Sequence, residues 1–144
     1  MKRILLLILI CCHLLPATAQ KNAPKWMDKS KKAVVLITTY GKDGAKLTSG
    51  IGIFVSETGD VLSAYELFKG AEKATVTDTE GKTYPVTRVI GADELYDVIK
   101  VKAETPKKVQ FFPIAADPLA VGTVAYLLPY STEKKADFEQ GTIT

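Results

Sequence analysis

The sequence is poor in the residue types that most often carry chemistry. It holds two cysteines and one histidine, and all three (Cys11, Cys12, His13) fall in the first 19 positions. That segment reads as a secretory signal peptide: Lys2 and Arg3 make a basic start, ILLLILICCHLL is an apolar run too short to span a membrane well, and Ala17-Thr18-Ala19 offers small residues for cleavage. Ile10 precedes Cys11 where lipid attachment wants a small residue, so lipoprotein anchoring is the weaker reading. The expectation is cleavage near Ala19, export to a periplasm or to the medium, and no stable membrane span afterwards.

Removing 19 residues from 144 leaves 125, enough for one ordinary domain, and none of them is Cys or His. This excludes a structural disulfide, zinc held by thiolate or imidazole, a histidine general base and a cysteine nucleophile. No cofactor is expected. Charge of one sign is also scarce. Taking Lys2 and Arg3 from 19 basic residues leaves 17 against 16 acidic ones, and the lysine pairs (Lys31-Lys32, Lys107-Lys108, Lys134-Lys135) are scattered among acids. That is a solvated surface rather than a phosphate-tracking stripe, and no nucleic-acid partner is expected.

What the sequence does have is a series of short β-branched runs separated by turn signals. AVVLITT (33–39) leads to a turn holding Asp43-Gly44, followed by KLTSGIGIFVS (46–56), VLSA (61–64), KATVTD (73–78), TYPVTRVIG (83–91) and YDVIKVKA (96–103). Six strands at such even spacing argue for an all-β barrel or sandwich. Pro85 inside one run calls for an edge or a bulge there. Before the strands, KNAPKWMDKSKK (21–32) is a linker leading into a short amphipathic turn. Trp26 and Met27 are expected to pack on the barrel, with ligand stacking as the alternative for Trp26. TVAYLLPY (123–130) and FEQGTIT (138–144) read as two further strands.

These segments together resemble the first barrel of trypsin-like serine proteases, especially the exported Deg/HtrA-type group. Ser49-Gly50-Ile51-Gly52-Ile53-Phe54 stands where that family has its Ser-Gly-x-Gly-Phe strand, and Val61-Leu62-Ser63-Ala64 where a strand leads into the catalytic histidine. ATVTDTEGKTYPVTRVIGAD is similar to the hairpin that follows, and YDVIKVKA to the strand after the catalytic aspartate. VGTVAYLLPY and QGTIT are similar to the opening strands of the second barrel. The resemblance implies an all-β fold: a six-stranded first barrel of a trypsin-like double β-barrel over 33–115, after a linker at 20–32, with the start of an incomplete second barrel over 116–144.

The same resemblance argues against the reaction. At the position of the general-base histidine stands Glu66, and the orienting aspartate falls at Leu95. Asp93 and Asp97 are out of register on this reading. On an extended strand Asp97 would share the face of Leu95 but lie about 7 Å further along, at roughly 3.3 Å per residue. The Gly-x-Ser-Gly nucleophile segment is expected beyond Thr144. A triad acts as a unit, so its degeneracy at Glu66 and Leu95 implies that this chain has no catalytic residues of its own.

Other site readings are weaker. Asp93, Glu94 and Asp97 lack the spacing and the central glycine of a calcium loop, so a solvated acidic turn is the plainer reading. Nothing in the sequence makes Glu66 and Asp97 face each other as a paired-carboxylate site. SGIG lacks the Lys-Ser/Thr of a phosphate loop. The leading expectation is an exported, non-catalytic pseudoprotease module that binds a peptide or protein, or serves as a scaffold. A serine endopeptidase with its nucleophile further on is the alternative, and an unrelated small β-barrel binding module is the second. The two last strands have few partners, which also raises self-association through the incomplete second barrel.

Overall fold

The computed structural model describes residues 25–130 and 138–144, so the expected signal peptide lies outside the described residues. Helix α1 (Lys25–Ser30) runs into a 3-10 turn (Lys31–Ala33) and then into strand β1 (Val34–Tyr40). There follow β2 (Lys46–Phe54), β3 (Asp60–Ser63), a second 3-10 turn (Tyr65–Phe68), β4 (Lys73–Thr77), β5 (Thr83–Asp93) and β6 (Val98–Ala103). The strands β7 (Val124–Leu127) and β8 (Glu139–Thr142) form a separate ribbon.

The first six strands close into an antiparallel barrel in the order β1-β2-β3-β6-β5-β4. Period-2 alternation fills it: Val35 and Ile37 from β1, Val61 from β3, Val76 from β4, and Ile99, Val101 and Ala103 from β6 all point inward with Phe54. Each larger aliphatic or aromatic side chain buried this way contributes about 1.5–3 kcal/mol. Gly52 of β2 shares that interior, and a Cβ on it would come within 2.7 Å of Ile37 and 2.9 Å of Val61, so the missing side chain is what lets the walls meet.

Pro85 sits where β5 changes partners. Thr83–Pro85 pair with β4, whereas β5 pairs with β6 from Val86 onward, with register shifts between Val86 and Arg88 and between Val89 and Gly91. The absent proline N–H thus falls at a corner rather than in a continuous ladder. The β1–β2 connection is a five-residue loop over 41–45, with Gly44 at φ 77° and Asp43 Oδ1 accepting from the Ala45 N–H at 3.0 Å.

Three expectations are corrected. Strand β6 begins at Val98, not at residue 96, because 94–97 form a turn. β7 ends at Leu127, short of Pro129, which cannot continue a ladder. Trp26 does not bury itself on the barrel: it remains 47% exposed and meets Tyr126 of the ribbon edge-on at 5.4 Å, while its neighbour Met27 is fully buried. Tyr126 in turn touches Phe138 at 5.9 Å.

The strand registers sort the connections between two ends of the barrel. One end carries the 41–45 loop, the Tyr65–Phe68 turn and the 94–97 turn. The other carries the turns at 56–59 and 78–82 and the start of the 104–122 connector. Among the described residues no helix is long and apolar enough to cross a membrane.

Candidate functional site

At the first of these ends, β3 delivers the chain into the turn that holds Glu66. Ser63 donates its hydroxyl to the Ile51 carbonyl at 2.8 Å, fixing the end of β3 on β2. Just beyond, Leu67 lies over Gly50, where any side chain would collide with its methyls. The turn therefore sits close against β2 because the sequence places glycine beneath it. On its far side the Glu72 N–H donates to the Tyr40 carbonyl at 2.8 Å.

The facing element is the β5–β6 turn. Asp93 Oδ1 accepts from the Tyr96 N–H at 3.1 Å, which rounds the chain over Glu94 and Leu95. Asp97 then adopts φ 51°, a left-handed conformation that Asp tolerates better than most residues. In this pose it reaches back across the gap. The Tyr65 N–H donates to the Asp97 carbonyl at 3.3 Å, and the Glu66 N–H to Asp97 Oδ1 at 2.8 Å.

The Glu66 side chain points elsewhere. It is 69% exposed and pairs with Lys69 Nζ at 3.0 Å, and that ammonium also meets Glu94 at 3.2 Å and stands 5.9 Å from the Tyr65 ring centre. The hydrogen bond that Lys69 donates to Glu66, with a second donated to Glu94, holds the Lys69 pKa above the usual lysine value. Lys69 thereby bridges the two turns. The pairing is one helical turn apart in sequence, an i,i+3 relation that could have been read from the Glu66-x-x-Lys69 spacing. Its second arm, to Glu94, has no local signal.

The structure thus brings Asp97, not Leu95, to Glu66. Leu95 is 86% exposed on the crown of the turn. The distance expected between Asp97 and the orienting position rested on an extended chain from residue 96, and the left-handed conformation of Asp97 in the 94–97 turn replaces that geometry. Nor do Glu66 and Asp97 form a shared carboxylate pair, since one faces Lys69 and the other a backbone N–H. Among the described residues no group of three or more His, Cys, Asp or Glu could hold a metal, and no hydroxyl is hydrogen-bonded to the Glu66 carboxylate.

The family model described as a trypsin-like peptidase domain matches residues 50–144. The chain belongs to the trypsin-like peptidase domain family. No curated protein matches it. The match starts at Gly50, beneath the Glu66 turn, and takes in both facing turns, the closing strands of the barrel and the β7–β8 ribbon. An unrelated small barrel is thereby set aside, and the closed six-stranded barrel with a separate ribbon is that of a trypsin-like fold. What this trypsin-like peptidase domain can do chemically depends on the site itself: a carboxylate committed to lysine, an acid committed to a backbone amide, and an open rim.

Proposed function

We propose that this chain is a non-catalytic member of the family, an exported module that binds a peptide or protein through the barrel end around Glu66 without cutting it. The observation that carries the reading is the commitment of the Glu66 carboxylate to Lys69 at 3.0 Å. In the family's chemistry the group at this position takes a proton from the nucleophile and returns it to the leaving group, which needs a free acceptor oriented by a neighbouring acid. Glu66 is neither oriented by Asp97 nor free. Asp97, the acid that does touch residue 66, supports its backbone amide rather than its side chain.

That same contact favours a second reading, serine endopeptidase activity, because the frame that would hold a base is still built. The two separate in one assay. Protein beginning at Gln20 is incubated with casein and with short chromogenic peptides, beside its Glu66→Ala variant. The proposal expects no turnover by either. Hydrolysis that disappears on Glu66→Ala would overturn it and make Glu66 a working base.

A further inference from the structure

At the opposite end of the barrel lies a cavity of about 430 Å³ between the 78–82 turn, the end of β2 and the connector at 106–110. Its size is that of an ordinary ligand cleft. Phe54, Tyr84, Pro106 and Val109 give it an apolar lining. The walls are fixed, because the Val109 N–H donates to the Glu57 carbonyl at 3.0 Å and the Phe112 N–H to the Phe54 carbonyl at 2.9 Å.

Around this lining stand Lys32, Lys82, Lys107 and Lys108, against only Asp78 and Glu80. Asp78 is fully engaged within its own turn: it accepts from the Glu80 and Lys82 N–H groups at 2.9 Å and from the Tyr84 hydroxyl at 2.8 Å. Glu80 is shared by Lys32 at 3.3 Å and Lys82 at 2.8 Å, and Lys108 pairs with Glu57 at 2.9 Å. Three polar groups are left over. Among the described residues the Lys107 ammonium, the half-buried Gln110 carboxamide and the half-buried Thr79 hydroxyl have no hydrogen-bond partner. The cleft therefore offers an apolar seat, an uncommitted cation, an uncommitted amide and hydroxyl, and a positive rim.

We infer that this cleft is a second binding site, distinct from the Glu66 end, for an acidic segment of a partner protein. An aromatic or aliphatic side chain would fill the seat beside Phe54 and Tyr84, and adjacent carboxylates would meet Lys107 and draw on the rim lysines. The charge of the rim selects the sign of the partner, and an apolar seat set beside separate uncommitted polar groups favours a peptide segment, which carries both kinds of side chain, over a compact solute.

The test is fluorescence anisotropy of the purified protein with a fluorescein-labelled acetyl-GFEELG-amide peptide. Saturable binding is expected, weakening as sodium chloride screens the rim. The neutral analogue acetyl-GFQQLG-amide and the variant Lys107→Glu should each bind about fivefold more weakly or worse. Gln110→Ala should also weaken binding, and Lys42→Glu at the far end of the barrel should leave it unchanged. Lys107 is exposed, so the charge reversal leaves the core intact, and the far-UV circular dichroism of each variant should match the parent. No saturation up to about 1 mM peptide, or equal binding of the neutral analogue and of Lys107→Glu, would overturn the site. Displacement of the peptide by hydrocinnamate with the same affinity as the peptide itself would overturn the assignment to a protein segment and give the cleft to a small carboxylate.

Discussion

Asp97 is the residue on which the candidate site turns, and it is held twice, by a backbone at φ 51° and by a carboxylate capping the Glu66 N–H. Replacing it with alanine removes the acceptor and puts a less tolerant residue in the left-handed region. We expect Asp97→Ala to cost about 1–3 kcal/mol in urea unfolding. Asp97→Asn, which keeps an oxygen at that place, should cost less. Glu66→Gln should change stability by less than about 1 kcal/mol, because the exposed pair with Lys69 is screened by solvent. A larger effect of Glu66→Gln than of Asp97→Ala would contradict this account of the site. Thr39 poses a different case. It is fully buried in the barrel and its hydroxyl has no partner among the described residues. Thr39→Val keeps the shape and deletes the unpaired group, so thermal unfolding should show a variant at least as stable as the parent, with a gain of up to about 1–3 kcal/mol.

At the scale of elements, the barrel was readable because its strands follow the simplest rule, β-branched residues in period 2 between turn-forming tetrads. β1, β4 and β5 begin within a residue of where the sequence suggests. What escaped was the join between β5 and β6. Tyr96 and Asp97 look like the start of a strand on composition, but Asp93 folds the chain back through a side-chain hydrogen bond, an effect no hydrophobic pattern registers. The pairing of β3 with β6 carries a further consequence that is legible only once the strands are side by side. Asp60 lies opposite Lys102, and its carboxylate meets Lys102 at 3.1 Å and Lys100 at 3.3 Å. Burial pushes the Asp60 pKa up, but the hydrogen bonds and charges of the two lysines together outweigh it and leave it below the ordinary aspartate value. A carboxyl with a depressed folded pKa contributes stability that is complete above the unfolded value, near 4, and is lost as pH falls through the folded one. Unfolding free energy measured from neutral pH into acid should therefore fall below about pH 4, and Asp60→Asn should flatten that part of the curve.

For the whole molecule, the link between barrel and ribbon rests on few groups. Trp26 on Tyr126 at 5.4 Å is one, and the Tyr130 hydroxyl donating to the Asp78 carbonyl at 3.3 Å is another. Neither was legible, since the partners are far apart in sequence and nothing local marks them. A two-stranded ribbon is marginal by itself. Trp26→Ala should remove an aromatic contact of about 0.5–1.5 kcal/mol and lower hydrogen-exchange protection in β7 and β8, with β1 to β6 unchanged; equal loss in both would mean that the helix supports the barrel instead. The closure of the barrel has its own consequence, in time rather than in energy. Strands β2 and β5 gain both partners from adjacent hairpins, but the barrel closes only when Tyr40 finds Lys73 and Asp60 finds Lys102. All-β chains that need such distant pairings fold in milliseconds to seconds, far more slowly than helical bundles. Until then this one stays threadable, a delay that suits the export proposed for it.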